Sequence, residues 1–563
     1  MKKLLYTYFI LFIVAFAFLL RVYHVESNPP SLTWDEVSIG YNAYSILKTG
    51  KDEHGRFLPP DTFVGYGDYK PPLPVYLTVP FVAVFGLNEL AVRLPSALFG
   101  TLTVLLTYFL VNALFSLSKT KDLRPTTLPL LSAFLLAISP WHINLSRAGF
   151  EANIALFFIV SGVLLTLKAL KYPKMWMVVW IPFVTAMYTF NSSRYFAPLL
   201  GTGLLVIGWK SIKKNIGFFF IGAGISVFLL LPLIPHLVSK EARLRYIEVN
   251  IFSDPQIVVT SNTRIKEAGN AWWAKIVFNR RIGYARSYAL HFLDHFQPDY
   301  LFIKGDGNPK FSIRDVGQLY TIEAPLLVIG IFTMLVVDTR IALFLLFWIL
   351  MAIVPAAVVR ETPHALRTLN SLPTWQIFTA FGIVSIINWI KIREQRTDNK
   401  KNVSMTYDLR STTMSMTFCT LLSVLYVVSV SYYLHTYYVH YPKEFSHEWQ
   451  YGYKQALDFI RPLEKNYDTI YVTDFIGRPY MYALFYDKTD PNEFFRTKDA
   501  FFDASGFYHV NGFGKYRFVI DMPTQCTGSC LFVGPAGSEG SETKVLHTVR
   551  LLNGSPVLTI YQK

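Results

Sequence analysis

Five short stretches of the chain place charged side chains beside aromatics or prolines in a way that chemistry can use. They are Ser31-Leu32-Thr33-Trp34-Asp35-Glu36, Asp68-Tyr69-Lys70-Pro71-Pro72-Leu73, Ser146-Arg147 followed by Glu151, Asn191-Ser192-Ser193-Arg194-Tyr195, and Pro363-His364-Ala365-Leu366-Arg367. Lysine offers an anion a point charge and arginine a bidentate fork, so the recurrence of Lys70, Arg147, Arg194, Arg360 and Arg367 outlines a shared phosphate site. Each of these cations taken singly has a plainer reading as a solvated or headgroup-contacting side chain. A carboxylate facing the phosphate would take the proton of an attacking hydroxyl, which is general-base catalysis. Asp35 is the first candidate: a capping box needs only Thr33 and Glu36, which leaves Asp35 with no task beyond the helix dipole. Glu36 is its neighbour in the catalytic pair, and Asp68, Tyr69, Tyr195 and His364 join the cations as substrate contacts. Glu151 is a further candidate, but the preferred reading makes it the i,i+4 partner of Arg147.

These residues must be held where the chain leaves a membrane. The 563 residues are 52% hydrophobic and 16% aromatic, too apolar for a soluble protein of this length. The net charge of +15 sits in short clusters between apolar runs, as in cytoplasmic loops, and no contiguous basic face suggests nucleic acid. Residues 4–20 read as an uncleaved anchor with the N-terminus inside. Alternation then gives roughly eleven spans, at 4–20, 94–115, 128–141, 152–167, 175–190, 197–209, 216–237, 322–337, 341–358, 375–390 and 413–434. It puts Lys119, Lys121 and Arg124, Lys168, Lys171 and Lys174, Lys210, Lys213 and Lys214, Arg340, and the 391–410 loop with Lys400 and Lys401 inside.

The expected fold is therefore an α-helical polytopic membrane protein, residues 1–435, with a small C-terminal α/β domain, residues 436–563, on the outer face. Residues 21–93 and 238–320 are its long external loops. The first contains a helix from Thr33 to Gly50 along the membrane surface, with Ile39, Ala43, Ile46 and Leu47 on its apolar face. It also contains an interfacial helix at 74–87, interrupted by Pro80. The domain reads as helices at 452–463 and 479–485 and strands at 469–473, 516–520, 530–533 and 557–561. Cys526 and Cys530 lie outside, where a disulfide can persist, whereas Cys419 sits in an apolar run. His291, Asp294 and His295 match no strong ligand spacing and read as surface residues, and Trp272-Trp273 as an interface belt. No metal or other cofactor is expected.

The Asp35-Glu36 pair, Asp68-Tyr69-Lys70-Pro71-Pro72-Leu73, the Phe85-Gly86-Leu87-Asn88-Glu89 to Arg93-Leu94-Pro95-Ser96 junction, and Ser139-Pro140 to Ser146-Arg147 resemble the protein O-mannosyltransferase and lipid A aminoarabinose transferase family. These are C-type membrane glycosyltransferases. The resemblance covers roughly the first 200 residues by motif and the rest by topology. It implies a polyprenyl-phosphate-linked monosaccharide as donor and a protein, lipid or glycan hydroxyl as acceptor. It also implies inversion at the anomeric carbon and reaction on the outer face of the plasma membrane. Asp35 would then be the base, Glu36 its support and Lys70 a donor-phosphate contact, while Tyr69 stands where aminoarabinose transferases have an acid. A carrier for a lipid-linked sugar, and an oligosaccharyltransferase or polymer ligase of the same superfamily, are the alternatives. The charges at the external rim favour the enzyme over the carrier.

Overall fold

The computed structural model describes residues 2–118, 127–239, 249–399, 407–503, 506–541 and 543–562. Lys119, Lys121, Arg124, Lys400 and Lys401 lie outside the described residues. Among them, seven helices are long and apolar enough to cross a membrane, or eight if the bent pair Leu128–Ile138 and Pro140–Arg147 is one span. Every expected span contains helix, but the count of roughly eleven is not reproduced. Pro140 starts a new helix capped by Ser139, which turns the chain by 55°. Residues 175–190 break into a 3₁₀ turn, Pro173–Met177, and a short helix, Ile181–Met187, each opening on a proline at its start. Glu323–Val337 and Thr339–Ile353 are apolar but only 15 residues each.

Helix α1 (Lys2–Val22) leads into the first long loop. Helix α2 (Trp34–Thr49) opens on the expected capping box, with Glu36 N–H donating to Thr33 Oγ1 at 3.3 Å and Thr33 N–H to Glu36 Oε2 at 2.9 Å. Gly50 closes it in the left-handed conformation, φ 71°. A two-stranded hairpin, β1 (Phe63–Gly65) and β2 (Asp68–Lys70), precedes α3 (Leu73–Phe85), the expected interfacial helix. Helix α4 (Glu89–Ser116) then enters the helical body and packs on Glu151–Ala169.

Helix α2 does not lie along a surface with one face free. Apart from Asp35 and its C-terminal turn, with Leu47, it is buried, between α3, α4 and the helix Pro479–Tyr486 of the C-terminal domain. Gly40 permits this: a Cβ there would stand 2.5 Å from the Phe485 ring and 2.7 Å from Val92. The Tyr482 hydroxyl donates to the Leu32 carbonyl at 2.9 Å, beside the start of α2.

Among the described residues the C-terminal domain carries a seven-stranded sheet in the order β4-β5-β6-β3-β7-β9-β8. Its strands are β3 (Thr469–Thr473), β4 (Asp499–Phe502), β5 (Tyr508–Phe513), β6 (Tyr516–Val519), β7 (Cys530–Pro535), β8 (Lys544–Arg550) and β9 (Pro556–Gln562). Central β3 runs parallel to β6 and β7, and the other pairs are antiparallel. The four strands expected from sequence are present. The two edges, β4 and β8, and β5 were not expected, because edge strands face water and lack a clean apolar run. Tyr437, Tyr441 and Trp449 pack with the helical body, so the chain leaves that body after Trp449 rather than at 436. Cys526 and Cys530 form a disulfide.

Candidate active site

The first turn of α2 lifts Asp35 beside the β1–β2 hairpin, with its side chain 39% exposed. Lys70, opposite Phe63 in the hairpin and nearly buried, donates from Nζ to Asp35 Oδ1 at 2.5 Å; Asp68 Oδ2 lies at 3.8 Å. Burial alone would push the Lys70 ammonium down, but the carboxylates of Asp35, Asp68 and Glu151 outweigh it and hold its pKa above the ordinary value. The lysine is therefore a fixed positive charge next to a half-open carboxylate. Glu151 belongs to this group. No hydrogen bond or ion pair joins it to Arg147, so the i,i+4 reading is corrected.

Sequence reasoning missed Lys310. Its Nζ sits 4.6 Å from the centroid of the Trp34 ring, within electrostatic reach of Asp35, and burial lowers its pKa. Its loop is held by the Tyr441 hydroxyl on the Pro309 carbonyl, 2.8 Å, and by Asp306, which accepts from Ala365 N–H at 2.6 Å and Asn308 N–H at 2.8 Å. Asp306 thereby ties the lysine loop to the His364-to-Arg367 stretch, and burial raises its pKa to about 6. A signal existed: Lys310 is one more external cation, but it stands in a long loop far from any span end.

Within that stretch His364 is not a phosphate cation. It is buried and stacked on Phe311 at 4.9 Å, its N–H donates to His295 Nε2 at 3.2 Å, and burial holds its imidazole well below the usual value. His295 is 2% exposed and burial lowers it to about 4, so both rings are neutral at pH 7. His291 Nδ1 contacts the Val359 carbonyl at 2.8 Å and Asp294 accepts from Thr362 at 2.7 Å. These three residues, read as surface groups from sequence, lash the long external loop to residues 359–364. Arg367, on the short helix Ala365–Thr368, is within electrostatic reach of His364.

Two further candidates serve the fold. Glu36 is fully buried: Arg93 Nε and Gly149 N–H donate to its Oε1 at 2.9 and 2.8 Å, and the cap takes Oε2. Arg147, also fully buried, donates to the carbonyls of Leu20, Tyr23 and Asn28 at 2.6–2.9 Å and to the Tyr437 hydroxyl at 3.1 Å. Four of its five N–H donors are spent on the chain, and the side chain is fully buried. Arg360 turns to the Asn250 carbonyl at 3.4 Å.

Arg194 differs from these. Its Nε donates to the Met187 carbonyl at 3.3 Å, while Nη2 is buried with no hydrogen-bond partner among the described residues. Leu73 N–H, three residues after Lys70, donates to the carbonyl of Tyr188 at 3.1 Å, and Tyr188 is in electrostatic contact with Arg194. Next to it an apolar hollow of about 320 Å³ is lined by Trp180, Phe183, Met187, Pro198, Leu205 and Phe219. Tyr195 is 60% exposed, and the Tyr69 ring stacks on His236 at 5.6 Å. The structure thus brings Asp35, Asp68, Lys70, Glu151 and Lys310 together, with Arg194 and Arg367 on neighbouring segments.

Residues 11–231, which contain Asp35, Lys70, Glu151 and Arg194, match the family model described as dolichyl-phosphate-mannose-protein mannosyltransferase. Over that part the chain is similar to this family. It is also 25% identical over 214 residues to YycA of Bacillus subtilis (strain 168), a presumed mannosyltransferase by its name; the match spans 37% of this chain and 28% of that protein. The fold resembles the crystal structure of ArnT from Cupriavidus metallidurans bound to undecaprenyl phosphate, with a TM-score of 0.52, 12% identity and 98% of each chain covered. It also resembles the Archaeoglobus fulgidus oligosaccharyltransferase tethered with an acceptor peptide, with a TM-score of 0.51, 12% identity, and 87% of this chain and 63% of that one covered. The architecture expected from sequence, a polytopic helical body with a C-terminal α/β domain, is the architecture of these neighbours.

Proposed function

We propose that the chain is an inverting membrane glycosyltransferase that moves a monosaccharide from a polyprenyl phosphate to an acceptor hydroxyl. The observation that carries the reading is the Asp35–Lys70 pair with Lys310 over Trp34: a half-open carboxylate between two cations, near the outer ends of the helices. The match to a mannosyltransferase family over residues 11–231 supports it, as does a fold neighbour that binds undecaprenyl phosphate.

In this reading the donor phosphate draws the Lys70 ammonium and Lys310 toward itself, which releases Asp35. The acceptor oxygen attacks the anomeric carbon from the face opposite the phosphate. The new C–O bond forms as the bond to the phosphate oxygen breaks, and polyprenyl phosphate leaves with the electron pair. The acceptor proton passes to Asp35. Arg194 and Arg367 add positive charge, and the apolar hollow next to Arg194 takes the first isoprene units of the donor. No metal takes part. The N-terminus lies in the cytoplasm, the outer domain on the other side of the plasma membrane, and the acceptor is a protein, lipid or glycan.

The test is transfer by purified protein in lipid, offered a panel of radiolabelled polyprenyl-phosphate monosaccharides and a membrane extract as acceptor source, with and without chelator. Transfer that survives chelation and falls by about 10²-fold or more in Asp35→Asn is expected. Normal turnover by Asp35→Asn would remove Asp35 from the mechanism. Donor movement across the bilayer without transfer, unaffected by that substitution, would replace the enzyme with a carrier.

A further inference from the structure

The first external loop and the outer domain together line a second, open hollow of about 420 Å³, within the size range of small-molecule sites. Val64 on its wall belongs to the same hairpin as Lys70, so the cavity adjoins the candidate active site without sharing its charged residues. The other walls include His54, Arg56, Lys498, Phe501, Phe502 and Tyr508.

Three features set its chemistry. The wall is aromatic: the Phe502 ring lies 5.0 Å from Tyr508 and 5.9 Å from His54, and His54 stands edge-on to Tyr508 at 4.5 Å. Phe501 and Phe502 are 49% and 52% exposed on the edge strand β4, where a fold without a ligand would gain by hiding them. Second, one of the two wall cations is paired with acids and the other contacts a carbonyl and rings. Arg56 is bound by Asp52 at 2.9 Å and Asp61 at 3.4 Å, and Lys498 Nζ donates to the Glu53 carbonyl oxygen at 3.3 Å while facing the Phe494, Phe495 and Tyr508 rings.

Third, polar capacity is left over behind the rings. Tyr508 is 4% exposed, and its hydroxyl has no hydrogen-bond partner among the described residues. Glu53 is fully buried, its carboxylate facing only His54 Nε2, at 3.2 Å, which it shares with the Val64 carbonyl at 3.0 Å. Lys498 also keeps ammonium donors that a hydroxyl oxygen can take. A ring with an apolar C–H face and a rim of hydroxyls fits: its face lies on Phe502 and its hydroxyls meet Tyr508, His54 and Lys498.

We infer that this cavity is a saccharide-binding subsite that holds a neutral hexose of a glycan beside the transfer site. It deepens the proposed activity by making the acceptor or product a glycan-bearing molecule, and it rests on that reading for its role but not for the binding itself. Binding alone is therefore the test, measured by saturation-transfer NMR on the full chain in lipid nanodiscs with neutral mannose, glucose and galactose trisaccharides and no donor present. At least one trisaccharide should bind. Phe502→Ala should weaken it roughly tenfold, and Tyr508→Phe severalfold with an unchanged melting temperature. No binding by the unsubstituted protein, or binding that neither substitution weakens, overturns the inference and leaves the transferase reading standing. Loss of transfer by Asp35→Asn with saccharide binding intact separates the two sites.

Discussion

At the scale of single residues, the site depends on which charges remain available. Many arginines and lysines lie near the outer ends of the helices, but Arg93 and Arg147 are consumed by carbonyls and Glu36, whereas Lys70 and Lys310 meet at Asp35. This gives two opposite expectations. Lys310→Met removes one of the two cations proposed to face the donor phosphate, so it should raise the KM for donor by roughly tenfold. Arg147→Met should act through folding, because it strands the carbonyls of Leu20, Tyr23 and Asn28. A lower melting temperature and a normal donor KM in whatever protein remains folded would bear this out. A raised KM with an unchanged melting temperature would return Arg147 to the phosphate site.

At the scale of elements, each candidate is aimed by a local device. The capping box and the buried Glu36–Arg93 pair clamp the first turn of α2 and with it Asp35. Glu36→Ala leaves the Arg93 guanidinium buried without its acid, and a loss of about 3–5 kcal/mol is expected in a denaturant or thermal series. The lysine loop is docked by Asp306, which gives a pH dependence. Its pKa is raised to about 6 in the folded protein from an ordinary 3.8, so the folded state holds the proton more tightly. The associated stability is fully present below about pH 4 and is lost as pH rises through about 6. Asp306→Asn keeps an acceptor for Ala365 N–H and cannot ionise. The substituted protein should gain melting temperature relative to the original as pH rises from 4 to 7, with no difference at the acid end. A flat difference across that range would show that Asp306 is not the titrating group.

At the scale of the whole molecule, the outer domain is part of the roof of the site rather than an appendage. Its helix Pro479–Tyr486 shares one apolar core with α2, α3 and the start of α4, and Gly477 and Arg478 approach Trp34 and Tyr66. Gly40→Val should therefore destabilise the protein by about 1–3 kcal/mol through collision with Phe485. Phe485→Ala should cost a similar amount alone but partly offset Gly40→Val in the double substitution. Strict additivity in that cycle would mean the domain does not press on α2.

Residue type and spacing alone determined much of this protein. Helix in each apolar run, the capping box at Thr33 to Glu36, the helix after Lys70 and four inner strands all depend on local periodicity or capping, and they are where the sequence places them. Asp35 and Lys70 were legible because they lie in one loop. Other features were settled only when distant segments met. Lys310 reaches Trp34 from a loop more than 270 residues later. His364 changes from a candidate contact to a buried stacking ring, and Glu151 turns from Arg147 to Lys70. The span count differs because Pro140 and Pro182 open new helices inside segments that hydropathy reads as continuous, and because Glu323–Val337 and Thr339–Ile353 are only 15 residues each. The physical reason is common to all of them: a charged side chain near a span end looks the same in sequence whether a carbonyl, an acid or a substrate will neutralise it, and only packing decides which one is within reach.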